Sequence, residues 1–94
     1  MTTIWKYEIA PAFEICLSPG FRVLHVALQG SVPTMWIEHD PHPDRSHKGI
    51  YQFQVFGTGH DIPREWLEGP DTGHCGTFFQ PPFVWHLYRR WKRE

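Results

Sequence analysis

Long apolar runs are missing from this chain. No stretch of eighteen apolar residues occurs in its 94, so no membrane-spanning helix is expected. Cysteine is scarce. Cys16 and Cys75 stand far apart in strand-like contexts, and the expectation is two reduced, buried thiols. Charge of one sign is missing too. Nine Lys and Arg against ten Asp and Glu leave a formal net charge of −1, which gives no global pull toward nucleic acid or a membrane surface. Helical periodicity is absent. Nine prolines and eight glycines punctuate the chain, and no segment between them keeps apolar residues at i, i+3, i+4 and i+7 through three turns. The opening Met1-Thr2-Thr3-Ile4-Trp5-Lys6 lacks the basic-then-apolar layout of a signal peptide, so a cytoplasmic setting is expected.

What is present is aromatic and β-forming. The chain is 40% hydrophobic and 16% aromatic, which argues for a packed domain and against disorder. Its length suits one domain over residues 1–94, with a basic C-terminal tail at 89–94. Short runs rich in aromatic and β-branched residues recur between turn signals. They predict strands at Ile4–Ile9, Ala12–Leu17, Phe21–Gln29, Thr34–His39, Ile50–Phe56, Gly73–Gln80 and Phe83–Arg89. The predicted fold is all-β: a compact antiparallel β-sandwich or small barrel of about seven short strands. At most one short helical turn is expected, near Arg64–Glu68 and entered through Pro63.

Alternation locates the core. Phe13, Ile15 and Leu17 share a face, as do Tyr51, Phe53 and Val55, and Phe83, Trp85 and Leu87. The third strand is apolar on both sides, with Leu24, Val26 and Leu28 opposing Val23, His25 and Ala27. That pattern predicts a central strand.

Chemistry concentrates in three places. The loop His39-Asp40-Pro41-His42-Pro43-Asp44-Arg45-Ser46-His47 carries three His and two Asp, donors that suit zinc. The spacing matches no compact zinc pattern, and two prolines hold the loop extended, so it reads as a solvated hairpin connection with no metal site. The C-terminus, Tyr88-Arg89-Arg90-Trp91-Lys92-Arg93, interleaves four cations with two aromatics. It reads as a solvated end, or as a grip on an anionic partner through cation–π stacking and phosphate pairing. The third place is Phe56-Gly57-Thr58-Gly59-His60-Asp61-Ile62-Pro63, where two glycines bend the chain beneath a Thr, a His and an Asp. Three readings stand side by side. The bend is a structural turn. Or its N–H groups, with Thr58 and His60, bind a phosphate or carboxylate. Or His60 is a general base. His25 and His86, each set between apolar neighbours, read as core or interface histidines. His74 adjoins Cys75, but strand neighbours point to opposite faces, which argues against a Cys nucleophile.

A family resemblance rests on Ile4-Trp5-Lys6-Tyr7-Glu8, on Leu24-His25-Val26 with Trp36, on the Phe56–Pro63 bend, and on Gly76-Thr77-Phe78 with Phe83-Val84-Trp85-His86-Leu87-Tyr88. On these pieces the chain resembles a small family of uncharacterised proteins encoded by tailed bacteriophages and prophages. The resemblance implies a phage origin, an infected bacterial cytoplasm and a small β-rich fold. It brings no established activity. In that setting the expectation is a non-catalytic binding module that inhibits host defence by sequestering a cyclic or ADP-ribose-type nucleotide. The residues expected to grip it are Gly57, Thr58, Gly59, His60, Trp36, Trp85, His86, Arg89 and Arg90, with no cofactor. The alternatives are a protein-binding module that masks a host protein, and a small phosphoesterase-like enzyme using His60. A domain this small encloses little volume, so a homo-oligomer is expected.

Overall fold

The computed structural model describes residues 2–40 and 49–93. Its strands are β1 Thr3–Glu8, β2 Ala12–Leu17, β3 Arg22–Gln29, β4 Val32–His39, β5 Gly49–Gly57, β6 Gly73–Gln80 and β7 Phe83–Arg93. A single 3₁₀ turn, Arg64–Trp66, follows Pro63, and no α-helix occurs among the described residues. All pairings are antiparallel. A three-stranded sheet, β1-β4-β3, faces a four-stranded sheet, β2-β5-β7-β6. The architecture is therefore a sandwich rather than a closed barrel. No described helix is long and apolar enough to cross a membrane.

The alternation read from the sequence builds the interior. Leu17, Met35, Ile37, Tyr51, Phe53 and Leu87 are fully buried between the sheets. Phe13 stacks on Phe53 at 5.1 Å, and Phe21 meets Tyr51 edge-on at 4.7 Å. Each such burial contributes on the order of 2 kcal/mol. Two tight hairpins tie neighbouring strands. Gly30-Ser31 joins Gln29 to its partner Val32, with Gly30 at φ +63°, and Pro81-Pro82 joins Gln80 to Phe83.

Four expectations need correction. β3 is an edge strand, and the central strand of its sheet is β4. A bulge between Val23 and His25 throws Leu24 outward and puts Val23 on the same side as Val26, so the doubly apolar pattern does not mean two buried faces. The basic tail is no tail: β7 runs on to Arg93 because Tyr51 and Gln52 of β5 pair with Trp91 and Arg90. Cys16 is exposed on β2, pointing away from Ile15 and Leu17, so only Cys75 fits the buried-thiol reading. His25 is exposed too, which removes the core half of its core-or-interface reading; its ring lies 5.6 Å from that of Trp36 on the outer face of the three-stranded sheet. The His39–His47 loop, read as a solvated connection, falls mostly in residues 41–48, outside the described residues. Among the described residues no group of three His, Cys, Asp or Glu converges.

The two sheets come closest where β3 crosses β6. Gly76 makes that approach feasible. A Cβ there would stand 2.6 Å from Val26 Cγ2 and 2.8 Å from Val26 Cβ. Neither atom can swing away as a flexible tip would, so a sheet has to shift. Gly76→Ala should therefore destabilise the domain by about 1–3 kcal/mol. Adding Val26→Ala should recover part of the loss. Urea denaturation of the two variants checks this.

Candidate functional site

The end of the four-stranded sheet is built around a residue with no side chain. Gly57 closes β5, paired with Trp85 of β7 and on the same inward face as Val55. The His60 ring fills the space a side chain would take. A Cβ on Gly57 would lie 2.8 Å from His60 Cε1, 2.9 Å from its Nδ1 and 3.3 Å from the Trp85 ring. The Gly57 N–H donates to His60 Nδ1 at 3.2 Å, and the His60 N–H donates back to the Gly57 carbonyl at 3.1 Å. Gly59, at φ +89°, supplies the left-handed residue this reversal needs. Asp61 is exposed and makes no hydrogen bond to His60.

Thr58 goes the other way. Its N–H donates to the Val84 carbonyl at 3.2 Å, and its hydroxyl reaches His86 Nε2 at 2.8 Å on the outer face of the sheet. The row continues across β7 to β6. His86 Nδ1 lies 2.9 Å from Thr77 Oγ1, which lies 3.0 Å from His74 Nε2. One direction of donation also satisfies the Thr58 hydroxyl proton, which has the Val84 carbonyl at 3.5 Å. In it, His74 Nε2–H donates to Thr77, Thr77 to His86 Nδ1, His86 Nε2–H to Thr58, and Thr58 to Val84. His86, accepting at Nδ1 and donating at Nε2, is then fixed in one tautomer.

Along β7 the same outer face carries Tyr88 and Arg90 after His86. Tyr88 packs edge-on against His74 at 5.4 Å and against Phe56 at 5.7 Å. Arg90 lies 5.6 Å over the Trp66 ring and donates to Gln52 Oε1 at 3.2 Å. Trp66 is buried against Phe56, which anchors the 3₁₀ turn to this face. His86 and Arg90, four residues apart on one strand, stand about 13 Å apart. The strands of this sheet carry one carboxylate, Glu14 of β2, and it pairs with Lys92. The face is therefore cationic and rich in rings.

The residues expected to form one pocket are divided by the sheet. Gly57, Thr58, Gly59, His60, Trp85 and His86 gather at one end, with Thr58 and His86 outward and His60 and Trp85 inward. Arg90 shares the outer face farther along. Arg89 points inward, 4.5 Å over the Phe21 ring. There its charge opposes part of the burial that pushes the Cys75 thiol up to about 11. Burial, then Asp71, pushes the Tyr51 phenol up to about 12, and its hydroxyl donates to Asp71 at 3.2 Å. Trp36 lies on the other sheet beside His25, away from the bend. His74, Thr77 and Tyr88 are the additions. His74 and Thr77 share a face only because a bulge between His74 and Gly76 breaks the two-residue period. A glycine inside a strand, Gly76, is the sequence signal that could have exposed it.

Two outcomes follow. Gly57→Ala should displace the His60 ring and cost about 1 kcal/mol, and in a His60→Ala background the same change should be nearly neutral. A double-mutant cycle by thermal denaturation measures that coupling. A thiol reagent at pH 8 should label Cys16 alone in the native protein and both cysteines in guanidinium, because the Cys75 thiol stays protonated and half-buried.

No curated protein and no solved structure matches the chain. One family model does match, over residues 1–94, and its description is a domain of unknown function (DUF7352). The chain belongs to that family.

Proposed function

We propose that the domain is a non-catalytic binding module for a ring-bearing anion of the nucleotide type, gripped on the outer face of the four-stranded sheet. The observation that carries this reading is the composition of that face. Two imidazoles, two hydroxyls, a phenol and a guanidinium lie in one connected patch, and the one carboxylate of the sheet is neutralised by Lys92. Phosphate oxygens suit Arg90, whose guanidinium has donors beyond the one given to Gln52, and a flat base suits Tyr88 and the imidazole rings. The bonds within the row hold its side chains in place before any ligand arrives, which lowers the cost of binding. Grip is favoured over catalysis because, among the described residues, no carboxylate orients either imidazole, and both threonine hydroxyls are tied into the row by His86. His60 is engaged in closing its own turn rather than poised as a base.

In the phage setting that the family resemblance implies, such a module serves as a sponge for a nucleotide signal of host defence. Two hollows among the described residues, of ≈ 200 and ≈ 260 Å³, fall below the few hundred Å³ of ordinary ligand pockets, which supports pairing of copies around the ligand. A masking module for a host protein is the second reading. It is favoured by Phe79 and Phe83, 67% and 57% exposed on either side of the Pro81-Pro82 turn.

A panel of cyclic nucleotides and ADP-ribose separates these readings. The sponge predicts a rise in melting temperature of several degrees with one member at about a hundredfold excess over its Kd, and return of that nucleotide intact after heating. His86→Ala should abolish the shift. No shift across the panel contradicts the nucleotide reading, and an altered nucleotide contradicts the non-catalytic one.

A further inference from the structure

A second hollow lies on the inner side of the four-stranded sheet, away from the His–Thr row. It sits where the chain crosses from β1 to β2, between the two sheets. The crossover is clamped at both ends: Ile9 N–H donates to the Pro33 carbonyl at 2.8 Å, and Val55 N–H to the Pro11 carbonyl at 3.0 Å. Ile9, Pro11, Pro33, Val55, Phe78 and Trp85 line a space of ≈ 200 Å³. Gln80 is the polar side chain at its wall, and its amide oxygen is taken by Trp85 Nε1–H at 3.2 Å.

The lining is apolar and the hollow opens to solvent on one side. An enclosed apolar cavity of about 150 Å³ holds benzene, and this hollow is of similar size. The space is therefore too small for a whole nucleotide and the right size for one ring. Its walls are flat: the Trp85 indole, the Phe78 ring and two proline rings. Flat walls favour stacked or edge-on contact with an aromatic group. Trp85 also lines the neighbouring cleft of Gly57, Thr58, His60 and Phe83, so the hollow adjoins polar groups at its mouth.

We infer that this hollow is a subsite for a single uncharged aromatic ring. It is separate from the outer-face site and does not depend on it. The closed crossover fixes the site before a ligand arrives. The ring enters beside Trp85, and whatever polar substituent it carries lies toward His60.

Fluorobenzene observed by ¹⁹F NMR with the full chain is the test. Saturable broadening, displaced by benzene and much less by cyclohexane, is the expected result. Val55→Phe should fill the hollow and weaken binding at least tenfold. Ala10→Leu, at the rim, should also weaken it, and its melting curve tells lost binding from lost folding. Non-saturable broadening, equal displacement by cyclohexane, or binding untouched in two folded variants overturns the inference. Because fluorobenzene carries no phosphate, these results are independent of the nucleotide panel.

Discussion

The candidate site at the end of the four-stranded sheet depends on Gly57 pairing with Trp85 while offering no side chain of its own. A bare backbone at that position lets one ring, His60, lie directly on the strand end. The turn that places His60 there also releases Thr58 to the opposite face, where it meets His86. A Cβ at Gly57 would force the His60 ring off the strand end. The bend thus acts as a divider. It sends one polar side chain to each side of the four-stranded sheet, and both faces acquire chemistry from a few residues.

The rest of the scaffold serves that arrangement. β5 and β7 are central in their sheet and buried on the inner side by Tyr51, Phe53 and Leu87, so the strand ends that hold the bend are fixed. Gly76 lets β6 lie close beneath β3, and the bulge beside it turns His74 and Thr77 to the same face. Trp66 seats the segment after the bend against Phe56, bringing Arg90 and its ring partner to the same surface. The inner face takes Arg89 over Phe21, with Tyr51 and Cys75 held in their neutral forms by burial. Two adjacent arginines therefore serve different surfaces.

Much of the fold was legible in the sequence because its signals are local. Strand alternation, the Gly30 and Pro81-Pro82 turns and the helical turn after Pro63 each depend on a few neighbouring residues. Facing was less legible. A bulge is an outcome of pairing, so Leu24 and the His74–Thr77 pair break a period that the sequence alone presents as regular. The bend was visible from its two glycines, yet its division between two faces was not. Trp36 and Arg89 were grouped with it by residue type, whereas sheet order puts Trp36 on the other sheet and Arg89 inside. The length of β7 was missed because a run of cations resembles a solvated end until β5 is seen to pair with it.

The central claim is that the outer face of the four-stranded sheet, from Thr58 to Arg90, is where a ligand is held. A two-dimensional NMR titration of the ¹⁵N-labelled protein with ADP-ribose and cyclic nucleotides tests it most directly. The account predicts saturable shifts in the ring nitrogens of His74 and His86 and in the amides of Thr58, Thr77 and Tyr88, with His25 and Trp36 unmoved. Shifts centred on His25 and Trp36, or none at all, would contradict it.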